Sequence, residues 1–285
     1  MELWYTEFQT RNLGLTCRVT ETLFTGRSAF QEIAVVESAE FGRMLILDGV
    51  FQTSIFDEYI YHEMIAHVPL SIHPAPRRVL VIGGGDGGTV REVVRHDVVE
   101  LVELVEIDGM VVDVSKKYLP EISSALLEEH SRLRLKIGDG IQHMHEACDK
   151  YDVIIVDCSD PIGPGEGLFS QQFYQDVYKA LKADGLFVQQ TESPFYHQDL
   201  IRRLSADISS LFPICRMYLA NIPLYPGGLH SFTLGSKKYD PVAGAADRSA
   251  LPFSTRYYNR DIQRSCFMLP EFIRLLQRNA DNKRK

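Results

Sequence analysis

The chain has 285 residues, 45% of them hydrophobic, enough to bury one large core or one large core with a smaller appended domain, and too apolar for a disordered protein. No apolar run reaches the ~18 residues of a spanning helix, and the opening MELWYTEFQT lacks the basic and apolar regions of a signal peptide, so a soluble cytoplasmic protein with no membrane partner is expected. A formal charge of −8 argues against nucleic acid and for cationic partners, and five cysteines without a C-x-x-C pair indicate neither a disulfide framework nor a zinc knuckle.

In chain order, Leu13, Leu15, Cys17 and Val19 alternate with other residues, which is strand periodicity. MLILDGVFQTS then places Asp48-Gly49 between two apolar runs, a dipeptide suited to a tight hairpin. Ser54 and Asp57 are expected to cap a helix through DEYIYHEMIAHVPL, which HPAP at 73–76 ends. A boundary near residue 70 separates residues 1–70, a β-rich domain with a linking helix, from residues 71–285.

Beyond it strands alternate with helices. VLVI, VELVEI, RLRLKI, YDVIIVD and LFVQQ read as strands, and GTVREVVRH, GMVVDVSKKYL, GIQHMHEA and QQFYQDVYKALK read as helices. Unbroken apolar runs such as VIIV fit strands covered on both faces, as in a parallel α/β sheet. ICRMYLA and SFTLGS lack a full crossover helix between them, which predicts an antiparallel edge. No internal repeat or low-complexity segment interrupts the pattern.

Ligands of such sheets collect outside the carboxyl ends of the strands. After the first strand GGGDGG satisfies G-x-G-x-x-G through Gly83, Gly85 and Gly88, and it stands between a strand and a helix, as a nucleotide loop does. Glu106 ends the second strand where an acid usually holds a ribose hydroxyl pair. A dinucleotide would rest its pyrophosphate on the helix N-terminus, yet Asp86 occupies the middle of the loop. Unit charges about 4 Å apart at an effective dielectric of about 20 repel by ~4 kcal/mol. Asp139, Asp157 and Asp160 add three more acids to the same rim. Asp139 alone could be a helix N-cap, and Asp160 alone a turn cap before Pro161. As a set they lack the basic partners that a structural role would require. The ligand therefore carries positive charge, as a sulfonium nucleoside and an alkylamine both do.

Several near-motifs are declined. His62 and His67 in HEMIAH are five apart, about 140° around a helix, so no zinc-protease site is expected. His143 and His145, two apart, face different directions and read as surface or packing residues, and no metal is expected anywhere.

GGGDGG, VEID, GDG, YDVIIVDCSDPIGPGEGLF, EYIYHEM and NIPLYPGG together resemble the spermidine synthases, the polyamine aminopropyltransferases, over nearly the whole chain. The resemblance implies a small N-terminal β domain and a methyltransferase-like Rossmann domain with a mostly parallel sheet and an antiparallel edge. It implies a homodimer or homotetramer and no cofactor, decarboxylated S-adenosylmethionine being a co-substrate. The implied reaction moves its aminopropyl group to putrescine, giving spermidine and 5'-methylthioadenosine. Gln31, Glu106, Asp139, Gly140 and Pro164 would hold the adenosyl part, and Asp86 the amino group of the aminopropyl arm. Asp157 would be the base, Asp160 an anchor for the diamine, and Tyr61, His62, Gln190 and Tyr225 the lining of its channel. A methyltransferase using intact S-adenosylmethionine shares the glycine loop and the acid after the second strand. A polyamine-binding protein without catalysis is the other class, and cadaverine, agmatine or spermidine are other acceptors.

The chemistry suits these residue types. A neutral thioether leaves, so no oxyanion hole or nucleophilic triad is required. An alkylamine with a pKa near the lysine reference of ~10.4 costs about 4.6 kcal/mol to neutralise at pH 7. Neighbouring acids would raise the Asp157 pKa and make it a better base, while a second aspartate fixes the diamine in line with the C–S bond.

Overall fold

The computed structural model describes residues 2–159, 163–243 and 251–281. The first five strands, β1 (Leu3–Thr10), β2 (Leu13–Arg27), β3 (Glu32–Ser38), β4 (Gly42–Leu47) and β5 (Val50–Ser54), form an antiparallel sheet in chain order. Asp48 and Gly49 make the β4–β5 turn with φ of +47° and +88°, the backbone that the Asp-Gly pair predicts.

Helix α1 (Glu58–Ile72) follows. Asp57 stands at its N-cap position, but the expected side-chain cap does not form. The buried Asp57 carboxylate accepts instead from the Ser54 hydroxyl at 2.6 Å and from the Leu224 N–H at 2.7 Å. A partner far along the chain takes the carboxylate that local spacing assigned to the helix end. Ile60, Met64, Ile65 and Val68 of α1 pack in one cluster with Val79, Val81, Val153 and Ile155 of the larger sheet.

That sheet is built from β6 (Arg78–Gly83), α2 (Gly88–Val94), β7 (Leu101–Glu106), α3 (Gly109–Tyr118), α4 (Ser124–Leu127), β8 (Leu133–Ile137), α5 (Gly140–Glu146) and β9 (Tyr151–Asp157). After a short 3-10 turn over Gly163–Phe169 come α6 (Gln171–Ala180), β10 (Leu181–Gln190), α7 (Gln198–Leu211), β11 (Ile214–Asn221), β12 (Leu229–Ser236), α8 (Arg260–Ser265) and α9 (Glu271–Asp281). Strand order is β8-β7-β6-β9-β10-β12-β11, with β6 to β10 parallel and the β11–β12 edge antiparallel. The VIIV run shows why both faces had to be apolar. Val153 and Ile155 face the cluster under α1, while Ile154 and Val156 face a second cluster with Leu80, Phe173 and Phe187. Among the described residues no helix is long and apolar enough to cross a membrane.

The order in which strands are added reverses between the parallel neighbours β6 and β9, whose last residues, Gly83 and Asp157, are paired in register. Such a switch point opens a crevice at the carboxyl ends of the strands. The buried Glu63 of α1 ties down the late chain by accepting the backbone N–H groups of Arg256, Tyr257 and Tyr258 at 2.8, 2.8 and 2.7 Å. Glu63→Ala would orphan three donors in the interior and is expected to cost about 3 kcal/mol or more. Urea unfolding checks this: Glu63→Gln, which keeps one acceptor, should fall between Ala and the parent, and unchanged midpoints would show that the carboxylate is dispensable.

Candidate active site

A cavity opens at the switch point and takes its walls from both sheets. It is lined by Asp86, Glu106, Asp139 and Asp157, each at the carboxyl end of a parallel strand, and by Gln31, Tyr61, His62, Gly140, Gln190 and Tyr225. The structure thus brings together the residues that the sequence singled out, with three exceptions: Gly88 is not among the lining residues and lies against the His62 ring, and two others are not described. Asp160 lies outside the described residues, and so does the side chain of Pro164. Among the described residues seven acids line the space, the other three being Glu7, Asp48 and Glu192, and no lysine or arginine does.

The glycine loop lets the acids approach. Gly83 closes β6, and at Gly85 a Cβ would come within 2.9 Å of the Glu106 carboxylate. At Gly88 a Cβ would come within 2.3 Å of the His62 ring. The N-terminus of α2, where a pyrophosphate would rest, is already taken: Asp86 Oδ1 accepts the Gly88 N–H at 2.8 Å.

Asp157 is buried at the end of β9 with both oxygens engaged, Oδ1 by the Tyr61 hydroxyl at 2.7 Å and Oδ2 by the Thr89 hydroxyl at 2.6 Å. Burial, and then the charge of Asp86, raise its pKa above the ordinary carboxylate value, while His62 and the two hydroxyls oppose the rise. With these two donors in place Asp157 is fixed as part of the cavity wall. Thr89 escaped the sequence reading because one threonine in the first turn of a helix carries no pattern.

His62 lies between two carboxylates: Nδ1 is 2.6 Å from Glu58 and Nε2 is 3.4 Å from Asp86. Burial disfavours its charge, but Asp86 and Glu58 outweigh burial and push its pKa up to about 10. Burial likewise disfavours charge on Asp86, and His62 holds its carboxyl below the ordinary value nonetheless. Glu58, four residues before His62 on one helix face, could have been found from that spacing.

On the opposite side Glu106 Oε1 accepts the Asp108 N–H at 2.8 Å. Burial first, then the charges of Asp108 and Asp157, raise its pKa to about 7. Asp139 is both things the sequence left open, an N-cap that accepts the Ile141 N–H at 2.8 Å and an exposed wall of the cavity. Asp108 caps α3 and takes bonds from Gln31 Nε2 at 2.9 Å and the Ser28 hydroxyl at 2.6 Å, so the small sheet is fastened to this wall.

The far end of the cavity is aromatic. Tyr61 meets Tyr225 edge-on with ring centroids 6.1 Å apart, and the Tyr225 hydroxyl donates to the Gln52 carbonyl at 2.8 Å. The Gln190 amide is fixed by the Cys158 carbonyl at 3.0 Å, the Glu192 N–H at 3.0 Å and His230 at 3.1 Å. Glu192, which the sequence did not flag, has φ of +68°, a rare conformation for a side-chain-bearing residue and frequent at functional sites. The declined motifs have structural partners. His67 meets His96 at 2.9 Å, and His143 meets the Tyr151 hydroxyl at 2.8 Å.

Comparison with known proteins agrees with this geometry. Residues 58–243 match the family model described as spermine/spermidine synthase domain, and residues 3–54 match the spermidine synthase tetramerisation domain. A polyamine aminopropyltransferase of Caldicellulosiruptor saccharolyticus is 55% identical over 96% of this chain and 97% of its own. One from Moorella thermoacetica is 52% identical over 95% of each chain. Among solved structures, a spermidine synthase in complex with the transition state analogue AdoDATO superposes with a TM-score of 0.91 at 38% identity, covering 97% of this chain and 95% of the other. The spermidine synthase of Thermotoga maritima gives 0.90 at 38% identity, covering 96% and 94%. Fold, acid-lined cavity and full-length similarity agree, and the chain belongs to the spermine/spermidine synthase family of polyamine aminopropyltransferases.

Proposed function

We propose that the protein transfers the aminopropyl group of decarboxylated S-adenosylmethionine to putrescine, giving spermidine and 5'-methylthioadenosine. The observation that carries this reading is the meeting of two carboxylates, the half-buried Asp86 and the buried Asp157, at the switch point of a cavity lined by acids. A sulfonium and an ammonium are stabilised in such a place, and a pyrophosphate is repelled. The similarity to a structure solved with AdoDATO supports substrates of the same class.

In this reading Glu106 accepts the ribose hydroxyls, Gln31 and the Asp139–Gly140 pair border the adenosyl group with Pro164, and Asp86 holds the ammonium of the aminopropyl arm. Asp160 anchors the diamine, while Tyr61, His62, Gln190 and Tyr225 line its channel. The free amine attacks the aminopropyl carbon next to sulfur. A C–N bond forms, the C–S bond breaks with its electron pair left on sulfur, and the new ammonium releases its proton to Asp157. The raised pKa of Asp157 brings the base nearer to the amine it serves.

Incubation with putrescine and each donor in turn tests the assignment. Spermidine and methylthioadenosine should form only from the decarboxylated donor, and a methylated product from intact S-adenosylmethionine would overturn it. Asp157→Asn should lower kcat by about 10²–10⁴ with donor affinity preserved, and near-normal turnover would remove Asp157 from the role of base.

Glu106 gives a pH-dependent signature. Its raised pKa favours the fold at low pH, and that contribution fades as pH rises through about 7. Ribose hydroxyls favour the ionised form, so donor binding at pH 7 should release about half a proton through a group with a pKa of about 7. Calorimetry in buffers of different ionisation enthalpy should show this release, absent in Glu106→Gln; proton uptake by the parent protein would contradict the assignment.

We also read the chain as a homodimer or homotetramer assembled through its N-terminal sheet. The tetramerisation match covers the five strands, and Leu3, Trp4 and Phe8 on that sheet are exposed. Sedimentation velocity at micromolar concentration should show a multimer, and a monomer there would end this reading.

A further inference from the structure

We propose that Glu58 and Arg91 are positioning residues for the reaction: they fix His62 as a doubly protonated imidazolium between two carboxylates, which keeps Asp86 ionised and prevents it from sharing a proton with Asp157. The proposal rests on the functional reading given above, because it explains how two neighbouring acids stay charged for the roles assigned there.

The geometry leaves His62 little choice. Nδ1 lies 2.6 Å from Glu58 Oε2 and Nε2 lies 3.4 Å from Asp86 Oδ2. An ionised carboxylate only accepts hydrogen bonds, so Nδ1 must bring a proton to Glu58, and the Asp86 carboxylate within ion-pair distance of Nε2 favours a second proton there. Placing the proton on Glu58 instead is disfavoured by Arg91, whose guanidinium holds both Glu58 oxygens in a fork at 3.1 and 2.7 Å. Arg91 is in turn held by Glu92 through Nε at 2.8 Å. His62 cannot swing away, because it is 1% exposed and its ring rests on Gly88, where even a methyl group would collide.

The charged and titratable groups around the ring come from four elements. Glu58 and the edge-on Tyr61 belong to its own helix, Asp86 to the glycine loop, Arg91 and Glu92 to α2, and Asp157 to β9. Two carboxylates in one desolvated pocket ordinarily divide one proton between them. A proton on Asp157 would remove the base, and one on Asp86 would remove the anion facing the donor. The imidazolium balances Asp86, and Asp157 keeps its lone pairs for the amine. The Nδ1 contact matters as much as the Nε2 contact, because without Glu58 a neutral ring could donate from one nitrogen alone.

The protonation state of His62 can be read in the free enzyme without substrate. Nitrogen-15 NMR of histidine-labelled protein should show His62 with both nitrogens protonated from pH 6 to 8. In Glu58→Gln it should titrate inside that window, and Arg91→Met should move it the same way, which keeps the test available if one variant fails to fold. With decarboxylated donor and putrescine, Glu58→Gln should lose about tenfold in kcat or more, and the acid limb of its rate profile should move up by about one pH unit. The Glu58→Gln/His62→Gln double variant should be no slower than His62→Gln, since both changes remove the same charge.

A neutral His62 at pH 7 in the parent enzyme would overturn the proposal, and so would additive losses in the double variant. Failure of the parent to convert putrescine would instead count against the functional reading, and the nitrogen spectrum would still decide the charge of His62.

Discussion

Carboxylates in a crevice repel one another, and the structure at the end of β6 and β9 exists to hold that repulsion in place. Asp157 is set by strand register, paired across from Gly83 where the strand order reverses. Asp86 is set by a glycine loop whose own helix N-terminus it occupies. Among the described residues neither acid has a lysine or arginine beside it in the cavity, and the compensating charge comes from behind, through His62. The electrostatics that admit a cation in front are therefore financed by a buried histidine at the back.

The arrangement also explains why this glycine loop differs from that of a dinucleotide enzyme despite the shared spacing. In both, glycines allow close approach of something bulky to the backbone. Here Glu106 and the His62 ring take the space at Gly85 and Gly88, and Asp86 takes the amide that a phosphate would use. One loop geometry serves opposite charge preferences, depending on which side chain fills the helix N-terminus.

Much of this was legible in the linear sequence. Unbroken apolar runs announced strands covered on both faces, the missing crossover announced the antiparallel edge, and acids directly after strands announced the rim, because strand ends and cavity walls coincide in this architecture. What was hidden depends on contacts between distant segments. Thr89 had no signature for its bond to Asp157, and Asp108 gave no sign that it fastens Gln31 from another sheet. The expected cap at Asp57 failed for the same reason, since Leu224 reaches the carboxylate first. Local spacing shows which groups are available; tertiary contacts decide where they are spent.

The Leu224–Tyr225 segment carries one more implication. Leu224 docks on Asp57, and the Tyr225 hydroxyl closes onto the Gln52 carbonyl, so a wall of the cavity is supplied by a stretch that follows all four of the strand-end acids in the chain. During translation those acids emerge first and stand without their aromatic cover until this stretch leaves the ribosome. The cavity wall is thus complete only once most of the polypeptide has been made.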